Sequence, residues 1–346
     1  MERMNLMEKI DKIKELRNCN AIKAILMCIV VLYHSMAVYM GNWGPYEPAE
    51  NSTFLMYIAK WFNTFHIYAF TLISGYIFYY IKYEGGGYKK YFPFIGKKAK
   101  RLIVPYIFIT AVWVIPVYAY FYGTEDIVNK FVLGTSPNQL WFLLMLFWVF
   151  AIFWLISNLT DRKPILGGII VCGLYCLGAV APRFYCLNSG LQYILFFYIG
   201  FMIRKLDLGN KILYKIPSLV YLLIDILLFI GIELIGGHEE LIIKIVVLGF
   251  SVVLHIIGAV GAFVLLQRFV NRFLQEDKVV GFFSKHSMVI YLVHQQLIYF
   301  SIGWFNGVVP PVVLVLINFI FSLTVSTIFS VLMSKTKVTR FLVGSK

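Results

Sequence analysis

Two polar residues in the first apolar stretch indicate what chemistry to look for. Lys23 and His34 are eleven residues apart. On an α-helix that is almost three turns, so both side chains share one face, about 16 Å apart along the axis. A cation at the mouth of a membrane helix, with a proton acceptor deeper on the same stripe, suits a reaction with an anionic reagent arriving from the cation's side. A lysine that snorkels to the membrane surface and a histidine that bonds a neighbouring helix would use the same pair without chemistry. His66, His255 and His294 also fall in apolar stretches, with Lys60, Asp225 and Glu233. Ionisable groups are costly inside a membrane, usually face the bundle interior and mark function. Lys97-Lys98-Ala99-Lys100-Arg101 precedes Pro105. Such a run anchors a helix among phospholipid headgroups, and it also suits phosphate binding. His255, in a Gly-rich stretch, reads as structural. Cys172 and Cys176 are four apart on an apolar helix with no further Cys or His nearby. They read as packing residues, and no metal site is expected.

The elements that must position these groups are membrane helices. The chain has 346 residues, 60% hydrophobic and 14% charged, with a mean hydropathy of +0.79. Soluble domains carry about a quarter charged residues, and a compact water-soluble fold has no place for this much apolar surface. At about 20 residues per crossing, the apolar stretches are 21–40, 53–81, 102–122, 139–159, 165–181, 190–206, 217–236, 241–267, 286–306 and 309–334. The expected fold is an all-α polytopic bundle of about ten transmembrane helices. The second stretch is long enough to be tilted, broken or partly interfacial, and the fifth and sixth are short. Residues 1–20 read as a cytosolic, amphipathic N-terminal segment and not as a removable signal, because the apolar run behind them is too long and lacks a small-residue cleavage site. No separate soluble domain is expected within 1–346.

Charge sets the orientation. The net charge is +14, which in a soluble chain would raise the question of nucleic acid. Here all but four of the 31 basic residues fall in alternate connections, as the positive-inside rule requires. Lys60 and Lys244 lie within spans, and Lys130 and Arg183 lie on the opposite side with Glu47, Glu50, Glu125, Asp126, Glu239 and Glu240. The expectation is a multi-pass protein of the cytoplasmic membrane with both termini cytosolic, in contact with membrane lipids and not with nucleic acid. The cysteine count is odd, five, and suggests no disulfide framework. Gly258 and Gly261 are placed to let helices approach closely.

Several short segments recur in a recognisable order: Ile22-Lys23-Ala24-Ile25 followed by Val30-Val31-Leu32-Tyr33-His34-Ser35; Phe65-His66 leading to Phe70 and Ser74-Gly75-Tyr76; Lys98-Ala99-Lys100-Arg101-Leu102 with Pro105-Tyr106; Leu140-Trp141-Phe142-Leu143; and Tyr291-Leu292-Val293-His294. In that order the chain resembles the acyltransferase-3 family of bacterial membrane acyltransferases, whose members decorate surface polysaccharides and other exported molecules with acetyl or succinyl groups. Lys23 and His34 match the family's basic residue and first-span histidine, and Lys98 and Arg101 its basic pair at the third span. Members usually place a proline shortly after the second-span histidine, where this chain has Tyr68.

The resemblance implies an O-acyltransferase that takes acetyl-CoA, or another short acyl-CoA, as donor and a hydroxyl of a surface polysaccharide or related exported molecule as acceptor. Lys98 and Arg101, with Lys23, would hold the anionic donor at the cytosolic face. His34 would be the catalytic group, either as general base or as a nucleophile that carries the acyl group itself. His66, Ser74, Trp141 and His294 would bind or orient substrate. No metal is implied, and a homo-oligomer is compatible with the reading. The rival class is a transporter or flippase for lipid-linked or nascent polysaccharide. It explains the intramembrane polar groups, but it gives no special reason for pairing Lys23 with His34, and no internal repeat supports it.

Overall fold

The structure is a computed structural model and describes residues 2–41, 43–238, 240–274 and 277–345, with side chains from Lys14 onward. The side chains of Arg3, Lys9, Lys12, Glu239 and Lys346, counted in the charge pattern above, lie outside the described set. The α-helices in chain order are α1 (Glu2–Met36), α2 (Thr53–Asn63), α3 (His66–Tyr79), α4 (Tyr91–Ile109), α5 (Ile115–Tyr122), α6 (Trp141–Arg162), α7 (Pro164–Gly178), α8 (Leu187–Lys205), α9 (Leu208–Lys211), α10 (Ser218–Ile235), α11 (Leu241–Phe273), α12 (Lys278–Phe305), α13 (Pro311–Met333) and α14 (Lys337–Leu342). No β-strand occurs among the described residues.

Eight helical segments of the described chain are long and apolar enough to cross a membrane: Lys14–Met40, Tyr91–Tyr122, Asn138–Arg162, Phe184–Lys205, Ser218–Ile235, Leu241–Phe273, Lys278–Phe305 and Pro311–Met333. The protein is an all-α polytopic membrane bundle. Two of the ten expected stretches differ from a plain crossing. The fifth is α7, only 15 residues. The second is broken into α2 and α3.

Local chemistry explains the break. Ser52 caps α2 by accepting from the Leu55 N–H. At the far end, the Thr64 hydroxyl donates to the Trp61 carbonyl at 2.7 Å, and Phe65 leaves helical geometry at φ −132°. The His66 ring takes up the Phe62 carbonyl at 2.5 Å. Side chains thus satisfy backbone groups that a helix break inside a membrane would otherwise strand. The third stretch is longer than its apolar core: α4 begins at Tyr91, so the basic run lies on the helix itself. A π-turn over Thr110–Val114 then joins α4 to α5. Pro116 lacks the N–H that would continue the α-helical ladder, and the π-turn just before it changes the register. The ninth stretch begins at Lys278, capped by Asp277, so His286 lies inside a helix, buried and 2.8 Å from Ser330 Oγ.

Close packing follows from small residues. At the α3–α8 crossing, a Cβ on Gly75 would overlap the Phe197 carbonyl, and one on Gly200 would overlap the Leu72 carbonyl. Gly258 lies equally close to Asp225 and Phe65, at 2.9 Å from a built Cβ, as its spacing suggests. Ser322, Ser326 and Ser330 form a buried stripe on α13, and Asn318 above them accepts from Ser301 on α12 at 2.6 Å. Gly200→Val is therefore expected to destabilise the bundle by about 1–3 kcal/mol or more, the usual cost of overpacking. A lower melting temperature and a smaller monodisperse peak in detergent would show it, and a variant as stable as the parent would contradict so close a crossing.

Burial separates centre from rim. Of the apolar window of α12, 67% is buried, against 11% for α11 and 17% for α10. The α10–α11 pair leaves Leu227, Leu234 and Leu248 on its outer surface, as a lipid-facing hairpin would. Helices α1, α3, α4, α6 and α12 surround the polar interior, and α8 packs behind α3 and α6.

Candidate active site

Two cavities lie end to end in that interior. The first opens near the basic end of the bundle and measures about 140 Å³. Lys23 from α1, Ser74 from α3, Lys98 and Arg101 from α4 and Ser287 from α12 supply its polar wall. Lys98 and Arg101 are three apart on α4 and so share a face. The Lys23 ammonium donates to Ser74 Oγ at 3.2 Å, and that hydroxyl donates to the Phe70 carbonyl at 2.9 Å. The Lys98 ammonium sits 3.5 Å from the centre of the Phe150 ring, with Tyr88 and Phe94 also in range, a cation–π arrangement that tolerates partial desolvation. Arg101 is accessible within the same cavity.

The second cavity, about 490 Å³, lies toward the acidic end. His34, His66 and Trp141 line it. Val30, Ile67, Phe142 and Tyr291 line both cavities and form a collar between them. Lys23 and His34 therefore occupy one face of α1 on opposite sides of that collar, as their spacing suggests. Two of the four expected substrate-side residues lie elsewhere: Ser74 belongs to the cation-lined cavity, with Lys23 and not with His66, and His294 lines neither cavity but sits behind His34.

The histidines are held in a defined order. His34 Nδ1 lies 2.9 Å from His294 Nε2, and His294 Nδ1 lies 2.8 Å from the Tyr291 carbonyl. Hydrogen positions follow from the partners. A carbonyl only accepts, so His294 Nδ1 carries the proton. In the neutral ring His294 Nε2 then accepts, and His34 Nδ1 must donate. That leaves the lone pair on His34 Nε2. His294, fully buried, thus orients the imidazole that lines the cavity. His66 donates from Nδ1 to the Phe62 carbonyl in the same way. The Tyr33 ring packs between His34 and His66, 4.9 and 4.8 Å from each, and Trp43 stacks on His34 at 5.7 Å.

A second polar lock fixes this geometry. Gln139 and Gln296 exchange amide hydrogen bonds of 2.7 and 3.0 Å, Gln139 also donates to the Leu292 carbonyl, and the Tyr291 hydroxyl donates to the Gln139 carbonyl. The start of α6, which carries Trp141, is thereby tied to α12, which carries His294. Neither glutamine was singled out from the sequence. The pair Gln295-Gln296 directly after His294 was the available signal, since amides in a span need partners as histidines do.

A family model described as an acyltransferase domain, of the acyltransferase-3 type, matches residues 16–333. The chain belongs to the acyltransferase-3 family. No curated protein and no solved structure matches it.

As a membrane acyltransferase of this family, the protein departs from the usual pattern at Tyr68. That residue lies in the first turn of α3, where a proline would also be tolerated, so the break before His66 persists without one. Its ring instead stacks on Tyr193 at 4.9 Å and on His255 at 4.1 Å, with interplanar angles of 8° and 17°. His255 is thus packed away from the acyltransferase cavities. Among the described residues no cluster of His, Cys, Asp and Glu could hold a metal ion. Cys172 and Cys176 lie on the exposed side of α7.

Proposed function

We propose that the protein transfers a short acyl group, acetyl in the first instance, from cytosolic acyl-CoA to a hydroxyl of a surface polysaccharide or related exported acceptor. In this reading the basic end faces the cytosol, both termini are cytosolic, and the membrane is the cytoplasmic one. One observation carries the proposal: His34 lines one cavity, and a collar of four side chains away lies a second cavity walled by Lys23, Lys98 and Arg101.

The parts divide the work as follows. Lys98 and Arg101, with Lys23, hold the phosphates of the donor. The first cavity, with Met27, Phe70, Leu143 and Leu146 on its apolar wall and Ser74 on its polar one, takes the pantetheine arm, which brings the thioester to the collar. The acceptor enters the larger chamber. His34 Nε2 takes the proton of its hydroxyl as that oxygen forms a bond to the thioester carbon. The C–S bond breaks, and the thiolate of CoA receives the proton. His294, by holding Nδ1–H of His34, keeps the lone pair on the working nitrogen and steadies the imidazolium between the two transfers. His66 and Trp141 border the acceptor.

The test uses the full chain in nanodiscs, radiolabelled acetyl-CoA and crude surface polysaccharide. Label in the polymer with an equal amount of free CoA is the expected result. Label that stays on the protein and then chases into polymer would assign His34 the nucleophile's part. Folded protein that turns over neither acetyl-CoA nor succinyl-CoA would overturn the proposal and favour a transporter.

A further inference from the structure

Lys130 stands against the charge pattern of the chain. It is one of only two basic residues in the connections of the acidic side, and it lines the larger cavity. It belongs to a π-turn over Val128–Val132 between α5 and α6. Its ammonium donates to the Tyr118 hydroxyl at 2.9 Å and lies 4.8 Å from that ring's centre. Tyr118 lines the cavity too, and its ring stacks on Tyr122 at 4.9 Å. The carboxylate of Asp126 is farther away, at 3.9 Å, and is 60% exposed. A pair of that geometry is screened by water and holds a lysine weakly. The ammonium is therefore directed at the chamber by a phenol of the chamber wall.

The rest of that wall is aromatic and amide in character. Trp43, Trp141 and Tyr299 supply flat apolar faces, and Asn63, Asn138 and Gln295 supply neutral donors and acceptors. Flat rings with a few placed polar groups suit a sugar. Lys130 is the one lysine or arginine among the described residues that line this cavity.

We infer that the acceptor is a glycan bearing an anionic group, a carboxylate or a phosphate, which Lys130 binds while the neighbouring hydroxyl is presented to His34. This rests on the acyltransferase reading above for its second half only, because binding can be measured without turnover.

Three probes separate the cases: a glucuronate-containing tetrasaccharide, the same tetrasaccharide with its carboxyls reduced to alcohols, and a neutral tetrasaccharide phosphorylated at its reducing end. Binding to the full chain in nanodiscs and acceptor-dependent CoA release are both measured. The parent should bind at least one anionic probe on the order of tenfold more tightly than the reduced one, the scale of one charge-assisted hydrogen bond. Lys130→Gln should erase that preference by raising KM more than it lowers kcat, and Lys130→Arg should restore most of it. Which anionic probe wins distinguishes carboxylate from phosphate. Equal binding of all three probes by the parent, or a preference that survives in folded Lys130→Gln, overturns the inference. A binding preference without any CoA release upholds the anion site at Lys130 and removes the acyltransferase reading.

Discussion

His34→Ala is expected to lower acceptor-dependent turnover of acyl-CoA by about 10²- to 10⁴-fold, the range that a positioned general base usually contributes. The geometry also ranks its neighbours. His294 does not line the chamber and touches the reaction only through His34 Nδ1. His294→Ala should therefore lower kcat and leave the KM for both substrates near that of the parent. His294→Gln should recover part of the loss, because an amide oxygen can accept from Nδ1–H and keep the lone pair on Nε2. A role in packing alone predicts no such rescue. Donor binding by the folded His34→Ala protein serves as the control. Full turnover without His34 would remove it from the chemistry.

The second large effect concerns the donor. Lys98 and Arg101 both line the first cavity from one face of α4. Each charge-assisted contact to a phosphate contributes roughly 1.5–3 kcal/mol. Arg101→Ala should accordingly raise the KM for acyl-CoA by about 10- to 100-fold, and Lys98→Ala should do the same. Acyl-pantetheine, which ends before the nucleotide, provides the contrast: neither change should affect its use. If both donors lose equally, the pair shapes the cavity or anchors the helix and does not hold phosphates. The snorkelling alternative for such residues is thus open to a direct kinetic answer.

Much of this arrangement was legible in the residues. Apolar length gave the eight long helices among the ten expected stretches, and the eleven-residue spacing put Lys23 and His34 on one face of α1. Helical periodicity is local, so it survives in sequence. What it does not carry is the rotation of one helix against another. Ser74 and His66 lie on the same short helix, yet they line different cavities because α3 runs past the collar. The break before His66 depends on the Thr64 hydroxyl and the His66 ring capturing single carbonyls, which residue types allow but do not dictate. Gln139 finds its partner 157 positions away, and no local pattern announces such a pair. Helix α4 extends past its apolar core because Tyr91 to Lys100 form helix at the membrane edge, where hydropathy gives no boundary.

The collar of Val30, Ile67, Phe142 and Tyr291 has a further consequence. In the proposed reading, with the donor entering from the cytosol and the acceptor from the opposite chamber, the interior of the bundle is, in electrical terms, a gap in an insulator. Were the two cavities one water-filled passage, ions would short-circuit the membrane at each turnover. Three of these four side chains are hydrocarbon throughout, and a constriction so lined does not readily wet. On that proposed orientation the chamber can remain in contact with one side of the membrane, and the cation-lined pocket with the other, while the voltage between them falls across apolar side chains. An uncharged acyl group can be passed there without an accompanying current.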